Sequence, residues 1–247
     1  MILGESRQKY VLGVRQKVPN TGALAELGLL PVKTHKIQLI IKYWLRIVMD
    51  KPPILYDSYR LLRTVKGKTW CRYVKTVLEH HGFGEVWVNQ GVDNSGAFLQ
   101  VLKMRLRDTN LQEHNAADSS RLRLLHAIGD DPSRISFYLT LSLAKPMKHE
   151  IARLRLSGHK LGIERGRWVK PNPVPAENRI CSRCVLNKVD TEYHYVMECP
   201  ALEDLRRRFI PNRVRQNFEA FVQYLRTDSP VEIKKLGHFL TEGAKRL

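Results

Sequence analysis

Cys181, Cys184, His194 and Cys199 stand within the run RICSRCVLNKVDTEYHYVMECP, residues 179–200. Their spacing is C-x2-C-x9-H-x4-C. Three thiolates and one imidazole make a complete tetrahedral shell for zinc. Four protein ligands from one short loop leave no position open for a reacting water. The spacing therefore predicts a structural Zn2+ site and not a catalytic one. Cys-x2-Cys alone would equally suit a redox pair; His194 and Cys199 turn the reading to a metal. Only four cysteines occur in the chain, and three fall in this window. That usage argues against a secreted disulfide scaffold and for a reducing compartment, so an intracellular place, nucleus or cytoplasm, is expected.

The ligands need elements to hold them. Two residues between Cys181 and Cys184 let both sulfurs face one point, and Arg179 and Arg183 add charge that favours thiolate. Asp190-Thr191 reads as the N-cap of a short helix holding Tyr193 to Glu198, from which His194 projects. Cys199 lies five residues further on, about 500° around an α-helix, so a continuous α-helix would place it poorly. Pro200 supplies a break and opens a following helix to Phe209.

The charge balance points to the partner. Forty-two Lys and Arg against 24 Asp and Glu give a net charge of +18, with a pI near 10.0. Nucleic acid, RNA and/or DNA, is the favoured counter-charge, over a merely soluble basic protein and over an anionic membrane surface. No apolar run approaches the ~20 residues of a membrane span. The longest candidate, Ile37 to Met49, is interrupted by Gln38, Lys42 and Arg46. Between Ser58 and Leu78 there is no acidic residue. Arg60, Arg63, Lys66, Lys68, Arg72 and Lys75 occupy that stretch, interleaved with Tyr59, Trp70 and Tyr73. Cations neutralise phosphates and flat rings stack on bases. At helical spacing the same rings equally serve a core, so both readings stand at this point. A second basic cluster, Arg153, Arg155, Lys160, Arg165 and Arg167, precedes the zinc loop. There Gly158, Gly162 and Gly166 would let backbone approach a phosphate, and His159 with Glu164 reads as a structural pair. Arg206-Arg207-Arg208 follows the loop; such a cluster binds phosphate, serves nuclear import or forms a solvated helix face, the last being the commonest.

The remaining chain reads as helices joined by short Gly/Pro loops. Candidate helices cover 21–28, Thr34 to Asp50, Ile54 to Val65, Thr69 to His81, Ala97 to Glu113, Arg121 to Ile128, Ser133 to Ala144, Lys148 to Leu156, Val214 to Leu225 and Pro230 to Arg246. A polar connector is read over Asn115 to Ser120, and His80-His81 as surface or C-terminal-turn histidines. Few alternating runs occur. The fold class expected is all-α and multi-helix, with a small CCHC zinc-binding module near the C-terminus and at most a small hairpin there. Four segments are expected: 1–50, a basic helical region 51–145, an Arg-rich stretch plus zinc module 146–213, and closing helices 214–247. Asp130-Asp131 superficially fits a polymerase carboxylate pair, but Ile128 stands where an aromatic residue opens that signature. Asp131-Pro132-Ser133 reads instead as a cap and first turn.

The run Arg153 to Trp168 has the form R-L-R-x-S-x-H-x-L-x-I-E-x-G-R-W. A Pro-rich linker, I-C-x2-C, D-x-E-x-H and E-C-P follow. Together these resemble the C-terminal region of animal non-LTR retrotransposon reverse transcriptases. Leu12-Gly13-Val14, Pro19-Asn20, Glu26-Leu27-Gly28 and Tyr43-Trp44 resemble the segment that follows the polymerase core there. The resemblance spans nearly the whole chain. It is specific from Arg153 to Pro200 and looser from Ile54 to Met147. It implies a limb of a reverse transcriptase that binds template RNA or target DNA, with Cys181, Cys184, His194 and Cys199 as the family's zinc ligands. The family's polymerase aspartates and endonuclease motifs are absent from this chain. A non-catalytic fragment is therefore expected, with Met1 an arbitrary start and the rest of a polyprotein as a possible partner. The alternative is a host-adapted, zinc-dependent protein-interaction module.

Overall fold

The structure, a computed structural model, describes residues 5–116 and 121–247. In chain order the helices are α1 (Glu5–Val11), α2 (Asn20–Glu26), α3 (Val32–Asp50), α4 (Pro53–Thr64), α5 (Trp70–His80), α6 (Gly84–Asn89) and α7 (Ser95–Asn115). They continue with α8 (Arg123–Ile128), α9 (Phe137–Thr140), α10 (Lys145–Arg155), α11 (Gly162–Arg165), α12 (Glu203–Phe209), α13 (Phe218–Leu225) and α14 (Pro230–Ala244). Among the described residues there is no strand, only isolated antiparallel bridges at Leu27–Ile135 and Ile180–Val189. The second is the small hairpin expected at the metal loop. The fold is all-α. No helix among the described residues is long and apolar enough to cross a membrane.

The chain divides into two compact units, 1–29 with 114–247, and 30–113. These bounds differ from the sequence segments at 50, 145 and 213. The long α3 packs with α4 and α5, so it joins the chain that follows it. The N-terminal α1 and α2 join the C-terminal half instead, through Leu12, Val14, Ala23 and Ala25.

In the 30–113 unit, α3 buries Ile37, Ile41, Trp44, Leu45 and Val48 on one face. The Trp44 indole N–H donates to Tyr59 Oη at 3.1 Å, and the Tyr59 hydroxyl donates to Gln90 Oε1 at 2.5 Å. Trp44 stacks on Trp87, and Tyr59 meets Trp70 and Trp87 edge-on. Tyr59 is therefore core and offers no face to a base. The fourth cysteine, Cys71, is also buried there, 3.9 Å from the Tyr59 carbonyl. Thr34 does not cap α3, which opens two residues earlier after Pro31; its hydroxyl accepts from Asn110 Nδ2 at 2.8 Å.

In the other unit, α10 packs on α14 and α8, burying Ile151, Ala152 and Leu154. The expected helix over Ser133 to Ala144 shrinks to the single turn α9. Asp131 Oδ1 accepts from the Ser133 amide and hydroxyl, and the Ser136 amide donates to the Glu26 carbonyl at 2.9 Å. Those bonds, with the Leu27–Ile135 bridge, hold 132–136 as a turn followed by a single bridge and keep it out of a helix. Gly28 faces this segment with φ +61°, and a Cβ there would lie 2.4 Å from the Ile135 nitrogen. Gly28→Ala is expected to destabilise this unit by about 2 kcal/mol, read as a lower denaturation midpoint. The connector expected at Asn115 to Ser120 lies partly outside the described residues, and Met1 wholly so.

Candidate metal centre

Cys181, Cys184, His194 and Cys199 converge. Each offers one ligand atom, and the four atoms lie within 4.8 Å of one another. This is the one such group among the described residues, and it can hold a metal ion. Cys181, His194 and Cys199 are buried and Cys184 is half-buried. Cys181 and Cys199 sulfurs are 3.9 Å apart, and Cys184 Sγ is 3.4 Å from His194 Nε2. All four cysteines of the chain are free thiols.

The loop geometry explains how Cys199 reaches the others. Residues His194–Glu198 form a π-helical turn, and the Cys199 amide donates to the His194 carbonyl at 2.8 Å. An α-helix would swing a residue five places on away from His194. The wider i→i+5 turn returns it to the same side. Thr191 Oγ1 accepts from the His194 amide, as the N-cap reading expected. Pro200 then starts a 3-10 turn leading into α12.

Around the cluster, polar groups fix each ligand. His194 Nδ1 lies 3.2 Å from Glu198 Oε2, and Glu198 Oε1 accepts from Lys188 Nζ at 2.8 Å. A proton held on Nδ1 by a carboxylate leaves the Nε2 lone pair facing the sulfurs, the arrangement that metal-ligating histidines use. Burial opposes charge on Glu198, yet the Lys188 and His194 bonds hold its carboxyl below the usual range. Burial pushes the Cys181 thiol up to about 12, so a metal ion must displace its proton to bind thiolate. The Arg206 side chain is buried, and donates to the Val196 carbonyl at 2.8 Å and the Cys199 carbonyl at 2.7 Å. Those carbonyls belong to the middle of the π turn and to the residue that follows it. Arg206 therefore braces the loop and is no part of a solvated face; Arg207 and Arg208 remain exposed.

A second network ties the loop to the Arg153–Trp168 run. Glu192 is buried and accepts from Arg123 Nη2 at 2.8 and 2.9 Å and from Ser157 Oγ at 3.3 Å. His159 Nε2 is 2.9 Å from Glu192 Oε1, while its Nδ1 faces the Leu161 amide at 3.4 Å. Nε2 therefore carries the proton donated to Glu192. Arg123 also reaches Glu164 Oε1 at 3.0 Å, which Arg167 Nε meets at 3.2 Å. Asp190 accepts from the Gly162 amide at 2.6 Å and from Arg183. Arg183 thus pairs with a carboxylate next to the thiols it was expected to polarise. A Cβ on Gly162 would meet Asp190 at 3.0 Å, and one on Gly166 would meet Arg179 at 2.7 Å. Gly158, Gly162 and Gly166 are all buried, so their small size admits neighbouring protein and not a phosphate.

No family model, curated protein or solved structure matches this chain.

The basic residues separate into two kinds. Arg155 is buried, 2.6 Å from Glu26 Oε1, and it also reaches Asp130 and stacks on Tyr138. It has no face for an external phosphate, which corrects its place among the nucleic-acid contacts. Asp130 is thereby a structural partner of an arginine. Arg153 donates to the Gly13 carbonyl at 2.8 Å and Glu150 at 2.5 Å. Lys160 and Arg165 stay exposed. So do Arg60, Arg63, Lys66, Lys68, Arg72 and Lys75 in the 30–113 unit. Only Lys75 of these six has a carboxylate within ion-pair reach among the described residues, Glu79 at 3.7 Å. Arg63 lies over the Tyr59 and Trp87 rings. His81 is buried at the end of α5, while His80 is exposed as expected.

The sequence carried a signal for Glu198, since His194 and Glu198 are an i, i+4 pair. It carried none for Arg206 as a brace, and it showed Glu192 only as the Glu of D-x-E-x-H without its partners, because those partners are backbone carbonyls and distant side chains.

Proposed function

We propose that this chain is a zinc-containing, nucleic-acid-binding segment of the kind found C-terminal in non-LTR retrotransposon reverse transcriptases, with no catalysis of its own. The observation that carries the binding reading is the exposed face of α4, α5 and their connecting turn. Six cations stand there, and no acidic residue interrupts residues 58–78. Half-buried Trp70 meets the exposed Tyr43 edge-on at 5.8 Å, and Tyr73 is exposed one turn along α5. Phosphates would meet the cations, and rings of this kind offer stacking surface.

Zinc is the metal the donor set favours. Zn–S bonds of about 2.3 Å and Zn–N bonds of about 2.0 Å in a tetrahedron imply edges of roughly 3.8 Å and 3.5 Å. The Cys181–Cys199 and Cys184–His194 separations, 3.9 and 3.4 Å, fit those edges. Bound zinc would supply a fixed cross-link, and the four side chains would fill its shell. The motif residues that carry the resemblance, Ser157, His159, Glu164, Glu192 and the four ligands, form one connected structural device. That convergence supports reading them as a unit.

Salt titration tests the binding. For a single strand, log K against log salt should fall with a slope of about −0.7 per phosphate neutralised. Replacing Lys66, Lys68 and Arg72 together by Gln is expected to reduce that slope by about 2. Absence of binding, or an affinity indifferent to salt and to the triple change, would overturn the reading.

One observation favours the alternative, a protein-interaction module. Ile54, Leu61 and Val65 of the α4 region are 83%, 70% and 52% exposed, seven and four residues apart. An apolar stripe at that spacing fits a partner helix. Salt-resistant association with a protein, without nucleic-acid binding, would favour it.

A further inference from the structure

Four tryptophans occur in the chain. Trp44 is buried and Trp70 and Trp87 are half-buried in the 30–113 unit, whereas Trp168 is 46% exposed in the other unit. It ends a 3-10 turn, Gly166–Trp168, directly after α11. Lys17 Nζ lies 4.0 Å from its ring centroid and the Arg121 guanidinium 5.7 Å. Arg121 also donates to the Lys17 carbonyl, which fixes the two cations together. Arg15 and Arg165 line the same shallow pocket. The four cations come from three chain segments that the fold gathers around one indole.

Among the described residues these charges have no counter-ion of their own. Among the described residues, none of Arg15, Lys17, Arg121 and Arg165 has a carboxylate within ion-pair reach. Glu164 lines the pocket, but Arg123 and Arg167 already engage it. Uncompensated cations packed around one ring repel each other until an anion arrives. Lys17 sits over the indole ring, so a flat partner would take the part of the ring that Lys17 leaves exposed. Ser157, Gly158 and His159 also line the pocket, and the bonds of Ser157 and His159 to Glu192 make that lining rigid.

We infer that this pocket is a site for single-stranded nucleic acid, in which an unpaired base stacks on Trp168 and the flanking phosphates meet Arg15, Lys17, Arg121 and Arg165. An unpaired nucleotide combines a π-face with anions on either side, which is what the pocket lacks. A base in a duplex is stacked and paired, and its face cannot reach a side chain on the protein surface. The inference rests on the nucleic-acid reading above. It adds a second, separate site and the strand class that site takes.

The test uses the full chain, loaded with its metal, and fluorescently labelled oligo-U, oligo-dT and a duplex of equal length. Trp168→Ala is expected to weaken single-strand binding about tenfold while leaving duplex binding unchanged. Trp168→Phe keeps a ring and should restore most of the affinity, yet lose the quenching of tryptophan emission that the single strand causes in the unaltered protein. Lys17→Gln with Arg121→Gln should weaken oligo-U and oligo-dT alike and lower the salt slope by about 1.4. A weakening confined to oligo-U would still support the site and assign it to RNA; one confined to oligo-dT would assign it to DNA. Unchanged single-strand affinity in Trp168→Ala overturns the inference, as does equal loss on the duplex. If the α4–α5 changes still lower the salt slope when Trp168 proves silent, only this second site has failed. If the unaltered protein binds no nucleic acid, both readings have failed. Unchanged far-UV circular dichroism and metal content in Trp168→Ala ensure that a loss of affinity is local.

Discussion

Cys199→Ser, or removal of the metal by a chelator, is expected to unfold residues 179–205 and destabilise the surrounding unit by on the order of 5 kcal/mol. Isolated zinc peptides owe about 10–16 kcal/mol to their metal. The cost here is smaller because Asp190, Glu192 and Arg206 already hold the loop by bonds that need no metal. It is still large. Without a cation, Cys181 and Cys199 are buried thiols within a loop that has one bridge and one π turn for regular structure. Limited proteolysis should show new cleavage between Arg179 and Leu205, and metal analysis should fall from one ion per chain to none. Cys184→Ser should act in the same direction with a smaller effect on packing, since Cys184 is half-buried. Cys71→Ser should leave the metal content unchanged. Full protease resistance after chelation would remove the metal from the account of this fold.

The second large effect is expected at Glu192. Glu192→Ala should cost about 3 kcal/mol, the lower end for breaking a buried ion pair, because Arg123 keeps Glu164 as a partner. The His159 ring would lose the carboxylate to which it donates. The same carboxylate gives stability a pH dependence. Burial alone would raise its pKa; the hydrogen bond from His159 and the Arg123 guanidinium outweigh burial and hold it at about 2 against an ordinary 4.5. Between those values the unfolded chain binds the proton and the folded chain does not, so stability rises with pH across that window. The contribution is fully present above about pH 4.5 and is lost as pH falls towards 2. Its size is about 3 kcal/mol at 1.36 kcal/mol per unit. Denaturant midpoints for the unaltered chain and Glu192→Gln, taken from pH 7 to pH 3, should converge as the pH falls. Parallel curves would show that Glu192 is not ionised in the folded state. Acid also releases metal from thiolates, but that loss is common to both chains and cancels in the comparison.

Both effects bear on how cations are presented. The Glu192 bonds hold Ser157 and His159, and through Arg123 and Glu164 they reach Arg167. The metal loop thus braces a basic segment from beneath. The loop thereby joins the Arg153–Arg167 run to α12. Its braces are Glu192, Asp190 and Arg206.

The ligand set was legible because it is local. Four ligands within 19 positions need only short-range geometry to meet, and their chemistry is restricted to few residue types. The long helices α3, α4, α5 and α7 were legible for a similar reason, since apolar spacing and Pro or Gly breaks act along the chain. The π turn was not. Five-residue spacing only showed that an α-helix would fail; the closing bonds come from Arg206, which lies beyond the loop. The helix expected over Ser133 to Ala144 failed because its backbone pairs with Glu26 and Leu27, more than a hundred residues earlier.

The sequence by itself determined a helical, strongly basic chain with one Cys3His set at metal-ligand spacing near its C-terminal end. Only the tertiary structure decided which cations face solvent. Arg155 and Lys160 carry the same charge five residues apart, yet one is buried on Glu26 and the other is exposed. The reason is that a guanidinium's environment is set by whichever carboxylate or carbonyl the fold brings to it. For Arg155 and Arg121 those partners lie more than a hundred residues away.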